Sequence, residues 1–390
     1  MISSDPYPAE NARSLVTADF ALVLAAQCAF GLGWSTHLIQ PKFLAVALSD
    51  SPATIGRVMA AGGFATVLSI PIVARLMDGP SRRRMFRAGA LLLLLTSAGY
   101  LTVDHMTGLV YLLQAGIGVS YVVAFNAAAS TAADLAPKER LGQAIGLLAA
   151  ANVATNAIST ALAEYLASLY GWRAAFGASM GFAVLALALS STIREARAPV
   201  SRIPDFRSIV ALARGPLGVV FFVSSLAGAC FSAIFLFHQP FAIALGAKRV
   251  APFFAGFTTS AVAVRVFFGS IGDRFGAGRV ARIALAGYIV VSLAMSALHV
   301  GALSLYGLAF GLAHGIFYPN LNAHGVRLVS ESMRGRVMTV YGGSFSAGTA
   351  AGTLAWGAIA EHVGFGAIFL VSAGLAALGV VVLHFAEATR

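Results

Sequence analysis

The residues best able to carry chemistry are two histidines that precede matching glutamine–proline pairs. His37 lies just before Gln40 and a proline, and His238 lies directly before Gln239 and a proline. A histidine can carry a proton or bind a ligand near neutral pH. A proline removes a helix hydrogen bond and can free nearby carbonyl groups for ligands. Both histidines are candidates for ligand binding, although a purely structural role fits their sequence context equally well.

Amide side chains form a second group of candidates. Asn152, Asn156 and Ser159 recur at the i, i+4, i+7 spacing of one helix face. Amides at such positions can hydrogen-bond a ligand, or they can hydrogen-bond a neighbouring helix and only fix the packing. Both interpretations stay open. The full set of candidate ligand-binding residues is His37, Gln40, Asn126, Asn152, Asn156, His238, Gln239, His314 and Asn320.

Few charged residues lie within the apolar stretches of the sequence. Arg265 is the only arginine well inside one of them, so it needs a partner: Asp273, an acid of another helix or an anionic ligand. We favour a pairing inside the protein. Glu164 and Asp19 lie within or at the edge of apolar stretches, where each could take a proton or simply be solvated. The histidines show no metal-ligand spacing, so neither a metal site nor a cofactor is predicted.

The composition indicates what kind of elements must position these residues. Of the 390 residues, 58% are hydrophobic and 11% are charged, with a mean hydropathy of +0.83. Soluble domains carry roughly 45–50% apolar and about 25% charged residues. A soluble protein, a disordered chain and a disulfide scaffold are thereby excluded, and a polytopic membrane protein remains. Cys28 and Cys230 both lie in apolar stretches and are expected to be inert thiols.

Twelve stretches are long and apolar enough for transmembrane helices, which need about 20 residues each. They are continuously apolar and do not alternate with period two, so the fold class predicted is all-α rather than a barrel. The first stretch is too long for a cleaved signal peptide, and acids precede it. The predicted spans are 16–46, 54–77, 85–103, 107–134, 141–168, 172–193, 216–245, 251–272, 280–298, 302–329, 336–361 and 364–386.

The basic residues predict an orientation for these spans. Of the 26 lysines and arginines, 20 fall on the termini and on the loops that share their side. Because cytoplasmic loops carry an excess of basic residues, both termini are predicted to be cytoplasmic, in an inner membrane. The net charge of +11 is therefore a topology signal. Nucleic acid is not expected as a partner, because its binding would require one contiguous basic face.

The chain also contains an internal repeat of about half its length. Four pairs of similar residues recur at nearly the same offset, at matching places in a six-helix unit. We therefore predict an N-terminal bundle at 1–193, a cytoplasmic linker at 194–215 and a C-terminal bundle at 216–390. The pairs are Asp78 and Asp273 at 195 residues, Arg140 and Arg336 at 196, Gly171 and Gly364 at 193, and Gln40 and Gln239 at 199.

The loops after the second and eighth spans carry a family resemblance. The second copy reads Gly269-x-x-x-Asp273-Arg274-x-Gly276, while the first keeps Asp78 but has Ala, Gly and Ser where the pattern has Gly, Arg and Gly. These loops and the two six-helix halves resemble the major facilitator superfamily. The resemblance implies two pseudo-symmetric bundles that rock around a central site, in a monomer. It also suggests a gating role for Asp78, Asp273 and Arg274.

The predicted function follows from this resemblance and from the motifs that are missing. The sequence has no Gly-rich ATP-binding loop and no nucleophile elbow, so neither an ATP-driven pump nor an enzyme is expected. We expect a secondary transporter of a small organic molecule, proton-linked, with efflux favoured over uptake. An importer of an anionic metabolite or a metal complex is the alternative.

Two further observations bear on this expectation. Leu112 stands where drug exporters of the superfamily usually carry an arginine, and residues 146–160 contain no Gly-Pro pair. The specific signs of a proton-driven drug exporter are therefore absent from the sequence. A receptor that transports nothing is a remote alternative, because the longest predicted loop has only about twenty residues.

Overall fold

A computed structural model describes residues 17–77, 81–137, 140–193, 215–330 and 333–388. These residues form helices and loops and contain no strand, which confirms the all-α prediction. The twelve predicted spans correspond to twelve helical stretches, which we number α1–α12. They are α1 (Ala18–Ala47), α2 (Pro52–Met77), α3 (Arg82–Tyr100), α4 (Gly108–Leu135), α5 (Leu141–Tyr170), α6 (Trp172–Ser191), α7 (Pro216–Ala244), α8 (Ala251–Phe267), α9 (Ala277–Ser296), α10 (Leu303–Arg327), α11 (Arg334–His362) and α12 (Phe365–Ala388).

By length and composition alone, nine helices of the described chain are long and apolar enough to cross a membrane. The other three are α3, α8 and α11. The first turns of α3 and α11 contain arginines, and α11 is also rich in glycine, serine and threonine, so these two helices are less apolar. The predicted eighth span was wrong in length, because α8 ends at Phe267 and a separate short helix (Ile271–Phe275) follows. Gly276 then takes a positive φ of 86°, which favours glycine, and α9 begins.

The two glutamine–proline pairs interrupt their helices, as predicted. In α1 a 3₁₀ turn (Thr36–Ile39) precedes Gln40, which begins the last straight segment. In α7 a wider π-type turn (Ala233–Phe237) precedes His238. A proline cannot donate the next hydrogen bond of the ladder, so the backbone tightens or widens just before it. The breaks place both glutamines near the ends of their helices.

The helices pack into two halves with similar architecture. In the first half α1 packs on α4, α5 and α6, and α3 packs on α4 and α6. In the second half α7 packs on α11 and α12, and α9 packs on α10 and α12. Each half has its own hydrophobic core. Asn126 in α4 and Asn320 in α10, 194 residues apart, each donate to the carbonyl four residues earlier at 2.7 Å.

The two halves meet along two helix pairs, α2 with α11 and α5 with α8. Small residues bring α2 and α11 together, since a Cβ on Gly56 would lie 2.8 Å from Cα of Gly357. A Cβ on Gly63 would likewise lie 2.8 Å from Cβ of Ala350. Small residues at a helix interface allow this close approach of backbones.

Candidate functional site

One end of the molecule is closed by contacts between the halves. We call it the cap end: α1, α5, α7 and α11 finish there, and α2 and α8 begin there. The first contact is a buried carboxylate. Glu164 of α5 accepts hydrogen bonds from the backbone N–H groups of Val250 and Ala251, at 2.8 and 2.9 Å, at the start of α8. A carboxylate there satisfies free N–H groups and interacts favourably with the helix dipole.

A lysine completes this contact, which we call the α8 cap. The ammonium of Lys42 in α1 lies 2.5 Å from a carboxylate oxygen of Glu164. It also donates to the backbone carbonyl of Lys248 at 2.7 Å. The side chains are 11% and 5% exposed for Lys42 and Glu164. The α8 cap thus joins α1 and α5 of the first half to the segment that enters α8 of the second half.

A second carboxylate repeats this arrangement between α11 and α2. Glu361, 197 residues after Glu164, accepts from the hydroxyl of Ser51 at 2.8 Å and from the N–H of Ala53 at 2.9 Å. It therefore caps the start of α2, and we call this contact the α2 cap. Unlike Glu164, Glu361 is exposed. The two caps have related positions in the two halves and cross the interface in opposite directions.

The first helices of both halves also meet at the cap end. Gln239 of α7 donates to the carbonyl of Leu38 in α1 at 2.8 Å. Leu38 and Ile39 of α1 pack into the hydrophobic core of the second half. Gln239 is a predicted ligand-binding residue, and in this structure it joins α1 to α7. Its carbonyl oxygen and the amide nitrogen of Gln40 are buried without hydrogen-bond partners among the described residues.

The two ends of α5 differ in exposure. In the part near the cap end, exposed residues such as Ile158, Ala161 and Tyr165 recur at helical spacing on one side. In the opposite part every residue of 141–147 except Ala144 is exposed. A helix that is exposed on one side only is packed against neighbouring helices on its other sides, as α5 is near the cap end. A helix that is exposed around most of its circumference has few packing neighbours, as at the start of α5. We call this opposite end the open end.

Aromatic side chains of the first half lie between these two ends. The rings of Trp34 and Tyr121 are 4.4 Å apart, and Phe125 lies 5.4 Å beyond Tyr121. All three are only partly buried. Asn152 donates to the hydroxyl of Tyr121 at 3.2 Å, and its own oxygen accepts from Gln27 at 3.1 Å. Asn152 thus holds the hydroxyl group of Tyr121 in position.

The second half presents a matching aromatic group. Phe231 lies 4.8 Å from His314 and 5.5 Å from Phe345, and Tyr318 lies 5.1 Å from Phe345, all between ring centres. These four rings are partly buried. His314 is hydrogen-bonded through Nδ1 to the hydroxyl of Tyr288 at 2.6 Å. We call the partly buried rings of both halves, together with Asn152 and Arg265, the central site.

Arg265 lies near both aromatic groups. It is within electrostatic range of Tyr121 in the first half and of His314 in the second. Its hydrogen bond is a long one, 3.5 Å, to the carbonyl of Ala261 in its own helix. Within the described chain it forms no ion pair, and Asp273, its suggested partner, pairs instead with Arg327. The internal pairing favoured from sequence is therefore not found among the described residues, and it stays a prediction.

Several predicted ligand-binding residues are packed inside one half. His37 is hydrogen-bonded to Ser97 at 3.0 Å and stacks on Phe176, so it connects α1 to α3 and α6. His238 donates from Nδ1 to the carbonyl of Ile234 at 2.9 Å, and its ring stacks 3.9 Å from that of Phe253. Both are buried. Their role in substrate binding stays a prediction, and these placements lend it no support.

The predicted amides divide between packing and the open end. Asn156 accepts from Ser35 at 3.0 Å and is buried between α1 and α5. Asn126 is exposed. Asn320 lies against the short helix after α8, where a Cβ on Gly272 would come within 1.8 Å of its side-chain oxygen. A glycine is therefore required at 272 while Asn320 keeps this position.

The predicted gating residues and the remaining acid occupy other places. Asp273 forms an ion pair with Arg327 inside the second half, toward the open end, and Arg274 is exposed beside it. Asp78 lies outside the described residues. Asp19 lies in the first turn of α1, where a negative charge is favourable. In the described chain no three histidine, cysteine or acidic side chains come together to hold a metal ion.

Sequence reasoning missed two parts of the site. The first is the pair of caps, although the offset of 197 residues between Glu164 and Glu361 matches the repeat and could have drawn attention to Glu361. The second is the aromatic part of the central site. In a sequence so rich in apolar residues, rings that face the other half look the same as rings that face lipid.

Comparisons with known proteins agree with this architecture. The family model of the Major Facilitator Superfamily matches residues 23–312 and 253–390. A probable sugar efflux transporter of Mannheimia succiniciproducens is 24% identical over 296 residues, which is 71% of each chain. The multi-drug resistance efflux pump PmrA of Streptococcus pneumoniae is 26% identical over 344 residues, 80% of this chain and 81% of that protein.

Solved structures share the fold at low sequence identity. The nucleoside transporter NupG superimposes with a TM-score of 0.74 at 14% identity, over 95% of this chain and 99% of that one. An auto-inhibited peptide transporter of the POT family gives 0.77 at 11% identity, over 96% and 97%. With the family model spanning both halves, the chain is a member of the major facilitator superfamily, a multi-pass membrane transporter of small molecules and not an enzyme.

Proposed function

We propose that the protein exports a small organic molecule across the inner membrane by alternating access, coupled to proton entry. The observation that carries this proposal is the difference between the two ends. Two carboxylates join the halves at the cap end, while α5 is exposed around most of its circumference at the open end. A central site reachable from one side at a time is the arrangement that secondary transporters use.

We propose the orientation in the membrane from the distribution of the basic residues. With both termini in the cytoplasm, the open end faces the cytoplasm and the cap end faces outward. The structure then corresponds to the inward-facing state. Rocking of the bundles 1–193 and 216–390 about the central site would separate the caps, with 194–215 as their cytoplasmic linker. We propose a monomer as the working unit.

The α8 cap offers a way to couple this movement to protons. When α5 and α8 separate, Glu164 loses two N–H donors and Lys42 loses the carbonyl of Lys248. We propose that Glu164 binds a proton from outside when the caps open. The proton leaves to the cytoplasmic side when the protein returns to the inward-facing state and the α8 cap forms again, so each cycle carries one proton inward.

The loop motif at the open end is the proposed second gate. Asp273 pairs with Arg327 of its own half here. In the outward-facing state, Asp273 and Arg274, together with Asp78, are proposed to form contacts between the halves instead. Such contacts exist in only one state and so bias the equilibrium between states.

Export is supported by the relatives, since the sugar and multi-drug relatives reported above are named as efflux transporters. An importer of an anionic metabolite is the second candidate, and Arg265 is the observation that favours it. A positive charge in the central site, with no acidic partner in the part of the chain that the structure describes, fits a negatively charged substrate in either direction of transport.

Reconstitution in proteoliposomes tests the proposed function. A thermal-shift screen of metabolites, sugars and drugs first identifies a compound that raises the unfolding temperature of the purified protein. We expect counterflow of that compound in wild-type proteoliposomes, and accumulation when a pH gradient is imposed. Absence of counterflow for every stabilising compound would contradict the transport proposal.

A single variant separates transport from proton coupling. Glu164→Gln cannot bind a proton, so we expect it to keep counterflow but to lose accumulation driven by the pH gradient. Glu361→Gln, at the exposed α2 cap, is the matched control and should keep both activities. Accumulation by Glu164→Gln at the wild-type level would remove Glu164 from the coupling mechanism.

A further inference from the structure

The charge of Arg265 is not balanced by any acid of the described chain. The seven acidic side chains that the structure describes all lie elsewhere. Asp104, Asp134, Glu164 and Asp273 pair with Arg173, Arg82, Lys42 and Arg327, while Glu361 forms the α2 cap, Asp19 opens α1 and Asp50 lies in the loop near Arg57. Among the described residues, Arg265 is thus a guanidinium within a membrane-spanning helix that has no acidic partner.

An arginine in this position is costly and needs an explanation. A charged side chain inside a membrane is rare and usually pairs with another group or faces an aqueous pathway. Arg265 is partly exposed and makes one long hydrogen bond to its own helix. Its planar guanidinium therefore keeps most of its five N–H donors for a ligand. That fork matches the two oxygens of a carboxylate, which a lysine cannot match.

The surroundings of Arg265 indicate what the rest of the ligand looks like. Tyr121 of the first half and His314 of the second half both lie within electrostatic range of it. Tyr121 and Tyr318 in turn interact across the two halves. Each is part of an aromatic group with ring centres 4.4–5.6 Å from their neighbours. Partly buried rings on both sides favour a flat apolar body, which they can contact by offset stacking or by their edges.

Building on the proposed transport function, we infer that the central site binds an aromatic organic acid. The carboxylate of the ligand binds the guanidinium of Arg265, and its ring lies between Tyr121 of the first half and His314 and Tyr318 of the second. Such a ligand touches both halves at once, so it can hold them together in an intermediate of the rocking movement. The anion also removes the penalty for moving an unpaired guanidinium through a closed site.

The matched compounds benzoate, benzamide and acetate test this inference. Benzamide keeps the ring and shape of benzoate without its charge, and acetate keeps the carboxylate without the ring. In isothermal titration of the protein in lipid nanodiscs, we expect benzoate to bind at least about tenfold more tightly than either compound. Equal affinities for benzoate and benzamide would overturn the charge requirement, and equal affinities for benzoate and acetate would overturn the aromatic one.

Variants of Arg265 link the preference to this residue. Arg265→Gln should abolish the preference for benzoate over benzamide, while Arg265→Lys should weaken benzoate binding and keep the preference. Arg279→Gln, an exposed arginine at the start of α9, removes the same charge elsewhere and should bind benzoate like the wild type. If Arg265→Gln fails to fold, Arg265→Lys still decides, because benzoate binding at full wild-type affinity in that variant contradicts the bidentate contact.

This experiment can fail without the transport proposal failing. Counterflow of a neutral sugar or a cationic dye by both the wild type and Arg265→Gln would overturn the aromatic-acid inference and leave transport intact. Absence of counterflow for every compound in the wild type would overturn the proposed function itself. Counterflow of benzoate by the wild type that is lost in Arg265→Gln, with the Arg279→Gln control active, supports both.

Discussion

The α8 cap and the α2 cap perform the same task with different physics. Both use a carboxylate of one half to bind the N–H groups at the start of a helix in the other. Glu164 is buried and paired with Lys42, whereas Glu361 is exposed to solvent. The α2–α11 interface has no buried ion pair among the described residues, and its backbones instead pack closely at Gly56 and Gly357. One interface therefore depends on charge, and the other depends on shape.

This difference assigns distinct roles to the two interfaces. A buried ion pair is sensitive to the loss of either partner, because the remaining charge is left without compensation. Close glycine packing is insensitive to pH and responds only to added volume. Proton coupling is therefore expected at α5–α8, while α2–α11 acts as a surface along which the two halves stay in contact.

The largest effect is expected from Glu164→Ala. The substitution leaves Lys42, 11% exposed, without its carboxylate and the start of α8 without its cap. Breaking a buried pair in this way costs about 3–5 kcal/mol. We expect a clear fall in the unfolding temperature in nanodiscs and loss of transport driven by a pH gradient.

The double variant Lys42→Met with Glu164→Leu should recover much of the stability but not the coupling of transport to the pH gradient. An unchanged unfolding temperature in Glu164→Ala would show that the α8 cap contributes nothing.

A smaller effect is expected from Gly56→Ala. The new Cβ would lie 2.8 Å from Cα of Gly357 and from the carbonyl of Thr353, so α2 and α11 must move apart. Overpacking of this kind costs about 1–3 kcal/mol. Gly142→Ala is the matched control, because nothing lies within 4 Å of a Cβ there. We expect Gly56→Ala to lower the unfolding temperature at every pH. Equal behaviour of the two alanine variants would contradict the close packing.

The smallest effect is expected from Glu361→Ala. Water can replace the carboxylate at Ser51 and Ala53, since this cap is exposed. Transport and unfolding temperature should stay close to the wild type, with a small loss that disappears at high salt. An effect as large as that of Glu164→Ala would mean that the two caps are equivalent, and the comparison would fail.

The sequence predicted the helices well because each span carries a long apolar signal. The helix breaks before Gln40 and Gln239 were predictable from proline chemistry. The end of α8 at Phe267 was not, because the sequence stays apolar beyond it. Local composition does not reveal where the backbone turns.

The site was harder to predict than the fold. Histidines drew attention because of their chemistry, yet His37 and His238 are packed among aromatic rings within their own halves. The α2 cap joins residues 310 positions apart, a pairing that no local pattern contains. Arg265 was identified from sequence, but the absence of an internal partner among the described residues became visible only in three dimensions.

Closure of the cap end by Glu164 is the central claim, and a distance measurement between the end of α5 and the connection from α7 to α8 tests it most directly. Spin labels at Leu169 and Leu245, both exposed near that end, can be introduced after Cys28 and Cys230 are replaced by serine. In nanodiscs we predict one short distance for the wild-type background and a substantial longer population once Glu164→Ala is added. An unchanged distance distribution in the Glu164→Ala background would contradict the claim.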